Sequence, residues 1–305
     1  MPDSLQITVL LGGPSAEREV SLATGQAAAA ALASLGHAVR SLDVTDEHWS
    51  LAPETDLVFI ALHGTYGEDG GVQRRLEELG VPYTGSGPEA SQLAFDKART
   101  KVCLQNANVP TAPFVVLRSR NVPIPAGWPV PLVVKPLRQG SSVGVGFVET
   151  FADWRKALAH AFEHDSEVLV EPKINGREVT VAILDGVALP LVEIRPREGT
   201  YDYANKYTPG KTDYLCPAPF DATETQRICE VASAAFQCVG ARDYGRVDII
   251  VKPSGEPLVL EVNTIPGMTQ TSLLPKAAAA AGLGYAVLCQ RIVDLGMERA
   301  GQLRR

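Results

Sequence analysis

The chain runs to 305 residues, enough for two or three domains, each with a buried core of its own. Hydrophobic residues make up 45% and charged residues 21%, a globular balance that excludes a disordered chain. A net charge of −7 argues against a nucleic-acid partner gripped through its phosphates, which calls for a basic face.

Residues 1–10 carry no basic leader and no long apolar segment, so no secretory signal is expected. Residues 6–11 form an apolar strand run ending in Gly12-Gly13, and an alanine-rich helical pattern follows up to Leu35. Residues 37–44 and 57–62 read as further strands and 72–79 as a helix. Strands alternating with helices predict a parallel sheet, so roughly the first 90 residues are expected to form a Rossmann-like unit. Residues 96–107 are helical, and Pro110, Pro113, Pro123, Pro125, Pro129 and Pro131 then punctuate an extended stretch.

Beyond Pro131 the pattern turns hairpin-like. Strands at 132–135 and 143–149 flank a glycine-serine loop, a helix covers 153–163, and a strand covers 168–171. A hairpin of 178–184 and 187–194 turns about Asp185-Gly186. Residues 199–219 show no period and read as a long surface loop of the kind that serves as an active-site lid. A helix over 222–239, a hairpin over 244–263 and a helical tail complete the chain. The alanine-rich stretches at 27–33 and 277–281 fall short of the ~20 residues of a membrane span, so no membrane partner is expected. Cys103, Cys216, Cys229, Cys238 and Cys289 show no CxxC spacing, which a reducing cytoplasm permits.

The most informative segment pairs Gly245-Arg246-Val247-Asp248-Ile249-Ile250-Val251 with Val259-Leu260-Glu261-Val262-Asn263. Folded symmetrically about Ser254-Gly255, it sets Asp248 opposite Glu261 and Arg246 opposite Asn263, all four on one face. Val247, Ile249, Val251, Leu258, Leu260 and Val262 then take the apolar face. Carboxylates directly across a ladder have Cβ atoms ~5 Å apart and repel each other. Either Arg246 neutralises them on a solvated strand pair, or Asp248, Glu261 and the Asn263 amide hold a divalent cation. A few hard oxygen donors suit Mg²⁺, which shares its coordination with substrate phosphates, and the metal reading is preferred.

Lys135 ends an apolar strand and leads into Gln139-Gly140-Ser141-Ser142-Val143-Gly144, a loop whose backbone N–H groups can surround phosphate oxygens. An ordinary hairpin turn explains the same residues equally well. It is not a Walker A loop, since no Gly-Lys-Ser/Thr opens a helix there. Gly210-Lys211-Thr212 has that ending, but Asn205 stands where the first glycine is required. Glu171 ends one strand and Glu178 opens the next; the backbone of Pro172–Ile174 between them is either a clamp for an adenine or an ordinary charged turn. His63-Gly64 and Gly12-Gly13-Pro14-Ser15-Ala16-Glu17 lie at the carboxyl ends of parallel strands, where open sheets bind ligands, though each also fits a common loop–helix junction with Ser15 or Glu17 as a cap. His160 and His164, four apart on a helix, have a metal spacing but lack a carboxylate partner, and read as a solvated face.

Together these stretches resemble the D-alanine–D-alanine ligase family of the ATP-grasp superfamily. The resemblance is carried by GGPSAEREVSL at 12–22, ALHGTYGEDG at 61–70, PYTGSG at 82–87, Asp96-Lys97 and VVKPLRQGSSVGV at 133–145. GREVTVAIL at 176–184, YDYANKY at 201–207, GRVDI at 245–249 and EVNTIPGMTQTSLLP at 261–275 continue it in family order. It implies an α/β and α+β fold, with a Rossmann-like N-terminal unit over residues 1–93 and then a two-part ATP-grasp fold. The central part would span 94–174 and the catalytic part 175–305, with a mobile loop near 199–219. It implies ATP-dependent joining of two D-alanines through an acyl phosphate, for peptidoglycan precursor synthesis. A cytoplasmic homodimer working with ATP and two Mg²⁺ ions, or Mn²⁺ in their place, is implied as well.

The resemblance also assigns residues. Lys97, Lys135 and Lys206 would neutralise ATP phosphates beside Ser142, with Lys206 delivered by the mobile loop. Glu171 would contact the adenine, the backbone of Pro172 and Ile174 would complete that clamp, and Glu178 would take the ribose. Asp248, Glu261 and Asn263 would hold the metals. Glu17 would hold the ammonium of the first D-alanine, with His63 near its carboxylate, and Ser272 with the Leu273 backbone would hold the carboxylate of the second. Arg246 and the Gly267 N–H would clamp an oxyanion, while Ser141 and Tyr207 would bond to Glu17 as the loop closes. Lys173 departs from the aromatic or bulky apolar residue of many relatives, which predicts looser packing near the adenine. Pro172 lacks an N–H, but the family uses a carbonyl there. Three other readings stay open: a ligase using D-lactate, against which Tyr207 argues, an ATP-grasp ligase for another substrate, and a nucleotide-binding module without catalysis.

Overall fold

The computed structural model describes residues 4–46, 48–199, 208 and 210–303. Strand β1 (Gln6–Gly12) runs parallel between β2 (Ala38–Val44) and β3 (Leu57–Ile60). From Ile7 to Leu11 it is buried throughout, as a parallel strand covered on both faces must be. Helix α1 (Arg18–Ser34) makes the crossover to β2, and Gly25 permits its close approach, since a Cβ there would stand 2.5 Å from Leu11 Cβ. On the other face, α2 (Gly71–Leu79) shares a core with Trp49, Tyr66 and Ile60. Helix α3 (Pro88–Phe95) was not expected: its two turns are too short for a periodic signal. Asp96 then caps α4 (Lys97–Asn106), accepting from the Arg99 N–H at 2.9 Å.

A second, antiparallel sheet has the order β4 (Val115–Leu117), β7 (Val168–Pro172), β5 (Leu132–Pro136), β6 (Gly146–Val148), and α5 (Trp154–Ala161) packs on one face. The third sheet runs β11 (Thr212–Leu215), β10 (Val192–Pro196), β8 (Arg177–Leu184), β12 (Tyr244–Val251), β13 (Pro257–Asn263), with β9 (Val187–Ala188) beside the end of β8. Helix α6 (Ala222–Cys238) covers it, its first turn closed by reciprocal bonds between Asp221 and Glu224. Helices α7 (Leu273–Ala280) and α8 (Tyr285–Leu303) follow. Ile292 and Val293 of α8 share a core with Leu57 and Phe59 of β3, so the chain's last helix packs on the N-terminal layer.

Three expectations change. Pro190 divides the strand expected at 187–194 into β9 and β10, because proline donates no ladder hydrogen bond. The loop expected at 199–219 contains β11, an edge strand paired with β10, while residues 200–207 and 209 lie outside the described residues. The third change is in the hairpin of β12 and β13. Asp248 pairs with Glu261 and Arg246 with Asn263 as expected, but Ile249 pairs with Val259, leaving Leu260 in a bulge. A slip of one residue exchanges the faces. Val259 therefore joins Val247, Ile249 and Val251 in one core cluster, Leu258 stays buried but outside that cluster, and Leu260 lines the cavity described next. The bulge sits where Val259 N–H donates to the Pro110 carbonyl at 2.8 Å and the Thr111 hydroxyl donates to the Val259 carbonyl at 2.8 Å.

Candidate active site between the antiparallel sheets

A cavity of about 710 Å³ opens between the second and third sheets. Its walls include Lys97, Lys135, Ser142, Glu171, Pro172, Ile174, Glu178, Arg246, Asp248 and Glu261. That volume lies within the range of small-molecule and cofactor sites.

At the end of β7, Glu171 is 3% exposed, and its carboxylate is ion-paired with both Lys135 and Lys101, the latter at 2.9 Å. Lys101 is fully buried and also donates to Thr111 Oγ1 at 2.8 Å and the Ala112 carbonyl at 3.2 Å. Burial opposes ionisation of Glu171, but the two ammonium groups prevail and hold its carboxyl below the usual range. Burial draws Lys101 below its ordinary value, with Glu171 opposing. Two cations sharing one anion leave a net positive charge, and it is Lys135 that faces the cavity. The Glu171 carboxylate is thus held by the two lysines, and the residue also lines the cavity, where the resemblance implies an adenine contact. Lys101 was missed in the sequence, although its place four residues after Lys97 on α4 sets the two on one helix face.

Lys97 donates to the Gln139 carbonyl at 2.5 Å and stands 3.5 Å from Glu261. Lys173 is anchored at the wall, its ammonium pairing with Glu149 at 2.5 Å and lying 5.5 Å from the Phe147 ring centroid.

On the facing sheet, Arg246 grips Asp248 in a two-point pair, Nε to Oδ1 and Nη2 to Oδ2, both 2.8 Å. The Thr180 hydroxyl of neighbouring β8, unnoticed in the sequence, donates to Asp248 Oδ1 at 2.6 Å. Asn263 Oδ1 accepts from the Ile265 N–H at 3.0 Å, which fixes the amide. Two carboxylates and an amide oxygen thus share one face, with Arg246 and Lys97 already drawn to them. This donor set fits a divalent cation that prefers hard oxygen ligands.

The remaining expected residues sit in loops, at the starts of helices or between strands β5 and β6. Glu17 precedes α1, and its carboxylate accepts a hydrogen bond from the Ser141 hydroxyl. Backbone flanks it closely: a Cβ at Gly140 would lie 2.8 Å, and one at Gly64 3.0 Å, from Glu17 Oε2. Ser141 and Ser142 adopt φ of +51° and +58°, a left-handed backbone costing ~1–2 kcal/mol per residue. His63 is buried, with Nε2 3.1 Å from Thr24 Oγ1 and Nδ1 3.8 Å from Glu68, whose carboxyl is pushed up by burial. Ser272 is the N-cap of α7, but its hydroxyl turns to Thr269 Oγ1 at 2.7 Å and makes no bond to the helix. A Cβ on Gly267 would meet Ser272 Oγ at 3.1 Å, so Gly267 and the start of α7 at Leu273 are neighbours. Lys206 and Tyr207 lie outside the described residues.

With this geometry in place, comparison with known proteins gives one answer. Residues 39–86 match the family model for the D-ala D-ala ligase N-terminus and residues 103–294 that for its C-terminus. The D-alanine–D-alanine ligase of Methylacidiphilum infernorum is 46% identical over 96% of this chain and 96% of its own. That of Syntrophotalea carbinolica is 47% identical over 94% of this chain and 95% of its own. Among solved structures, a Bacillus anthracis D-alanine–D-alanine ligase complexed with ATP superposes with a TM-score of 0.85 at 33% identity, covering 98% of this chain and 99% of that one. The VanG D-Ala:D-Ser ligase of Enterococcus faecalis gives 0.83 at 30%, covering 96% and 99%. Matched along nearly its whole length in sequence and in fold, the chain belongs to the D-alanine–D-alanine ligase family.

Proposed function

We propose that the chain uses ATP to join two D-alanines into D-alanyl-D-alanine through an acyl phosphate, as a step toward peptidoglycan precursors. The observation that carries this reading is the Asp248–Glu261 pair, set opposite each other on a ladder inside a cavity that Lys97 and Lys135 also line. A carboxylate is a poor electrophile, and its conversion to an acyl phosphate is mostly positioning and charge neutralisation. Asp248, Glu261 and Asn263 would hold Mg²⁺, or Mn²⁺ in its place, and a metal there supplies neutralising charge at the phosphates. Lys135 adds the excess positive charge of its cluster, and Lys97 adds a second cation beside Glu261. Ser142 and the loop backbone face the same phosphates. Pro172, Ile174 and Glu178 would take the adenosine.

Glu17, oriented by Ser141, would bind the ammonium of the first D-alanine with His63 nearby, and Ser272 with the Leu273 N–H the carboxylate of the second. After ATP has given its terminal phosphoryl group to the first carboxylate, leaving ADP, the free amine of the second attacks the acyl carbon, loses a proton and expels inorganic phosphate as the C–O bond breaks. Arg246, held in plane by its two bonds to Asp248, and the Gly267 N–H would stabilise the oxyanion. Residues 199–219 would bring Lys206 and Tyr207 over the site and exclude water that would hydrolyse the intermediate. We assign residues 1–93 to the pre-ATP-grasp unit, 94–174 to the central part and 175–305 to the catalytic part. We also infer a cytoplasmic homodimer, testable by light scattering of the purified protein.

Product analysis tests the reaction: with ATP and equal D-alanine, D-serine, D-lactate and L-alanine on offer, D-alanyl-D-alanine should dominate. A mixed or ester product, or ATP turnover indifferent to D-alanine, would reject the assignment.

A further inference from the structure

The last turn of α5, which carries His160, and the turn after it, which carries Glu163 and His164, supply what the spacing of the two histidines lacked in the sequence. His160, Glu163 and His164 lie together on the surface, with one donor atom from each within 4.8 Å of the others. His160 Nδ1 is 3.3 Å from Glu163 Oε2, and the imidazoles meet edge to face with centroids 5.2 Å apart. The spacing i, i+3, i+4 places all three on one side of a helix end, where their donors converge. Two imidazoles and a carboxylate are also a donor set that the oxygen-lined catalytic face does not offer. Imidazole nitrogen favours Zn²⁺, Cu²⁺ or Ni²⁺ over Mg²⁺. Closing the donors onto such an ion at ~2.0–2.2 Å needs only side-chain rotation, and all three side chains are exposed and so able to make it.

We propose that His160, Glu163 and His164 form a transition-metal site, distinct from the Mg²⁺ site, with at least one coordination position left to water. Its location gives it a structural neighbour. The His164 ring backs onto Gly144, where a Cβ would stand 2.6 Å from the imidazole, and Gln139 donates to the His164 carbonyl at 3.2 Å. An ion held here therefore rests on the outer side of the loop whose inner side lines the nucleotide cavity.

The experiment is a calorimetric titration of the whole protein with Zn²⁺ in excess Mg²⁺, alongside His160→Gln, His164→Gln and the double variant. These exposed positions leave the fold intact, which circular dichroism verifies. The wild-type protein should bind one Zn²⁺ more than the double variant. Each single change should weaken that event by at least the ~10–100-fold that losing an outer-shell partner costs. With Cu²⁺ as probe, pulsed paramagnetic resonance should show two coupled imidazoles in the wild type and one in either single variant. Equal Zn²⁺ binding by wild type and double variant, or a Cu²⁺ spectrum unchanged by the substitutions, would overturn the proposal.

Discussion

At the end of the cavity we assign to phosphate, Lys135, Glu171, Asp248 and Glu261 hang from strands, and each is held in an ion pair before any ligand arrives. At the end we assign to the amino acids, Glu17 and Ser272 come from loop–helix junctions and Ser141 from the loop between β5 and β6, all far apart in the chain. Ladders fix the first group to within the tolerance of a β-register, while only a few hydrogen bonds fix the second. Substitutions of the buried charges at the phosphate end should therefore cost stability and nucleotide handling together, while those of the partly exposed Glu261 should cost function alone. Those at the amino-acid end should cost turnover with little loss of stability.

The largest expected effect is Glu261→Gln, which should abolish ligation while leaving the thermal midpoint nearly unchanged, since Glu261 is partly exposed. Dipeptide formation near the wild-type rate would remove that carboxylate from the metal site. Arg246→Ala should lower turnover by ~10²–10³ with far less effect on the KM for ATP. It should also destabilise the fold by about 3–5 kcal/mol, because Asp248 keeps a buried charge without its partner. Added Mg²⁺ should restore part of that loss in a melting experiment, and no recovery would contradict the shared face.

Lys101→Met converts a cluster of two cations and one anion into a neutral Lys135–Glu171 pair. The KM for ATP should rise by roughly tenfold, the equivalent of about 1.4 kcal/mol, with D-alanine dependence unchanged. A variant with wild-type KM would show that Lys101 is only a core residue. Ser141→Ala should reduce kcat by about tenfold, since a hydrogen bond to a charged group contributes ~1.5–3 kcal/mol. An equal fall in melting temperature would place that bond in the fold instead of the reaction.

The smallest effect concerns pH. The folded-state pKa of Glu171 is depressed, so its contribution is complete above the ordinary carboxylate value of ~4.3 and is lost as pH falls through the lowered folded value. Glu171→Gln should flatten the acid limb of stability measured by urea unfolding. An unaltered limb would assign acid lability to other carboxylates, such as Asp165, which Arg138 holds below the usual range against the opposing pull of burial.

The sequence disclosed the two regions unequally. Alternation in 244–263 placed Asp248 opposite Glu261 because a two-residue period leaves few alternatives over a short hairpin. It could not show the bulge at Leu260, which depends on Pro110 and Thr111 arriving from a distant segment. Lys101 has no sequence signal of its own, since only packing from distant segments buries it against Glu171. The pairing of Ser141 with Glu17 spans 124 residues, and family resemblance suggested it where local periodicity could not. The return of α8 to the N-terminal layer was likewise invisible, since an amphipathic helix does not name the surface it will cover.

The central claim is that the face shared by Asp248, Glu261 and Asn263 holds the metal against which phosphate is transferred. Anomalous diffraction from crystals grown with Mn²⁺ and ADP tests it most directly. The account predicts anomalous peaks within coordination distance of those three side chains and of the nucleotide phosphates. Peaks elsewhere in the cavity, or a nucleotide whose phosphates lie away from Lys135, would contradict it.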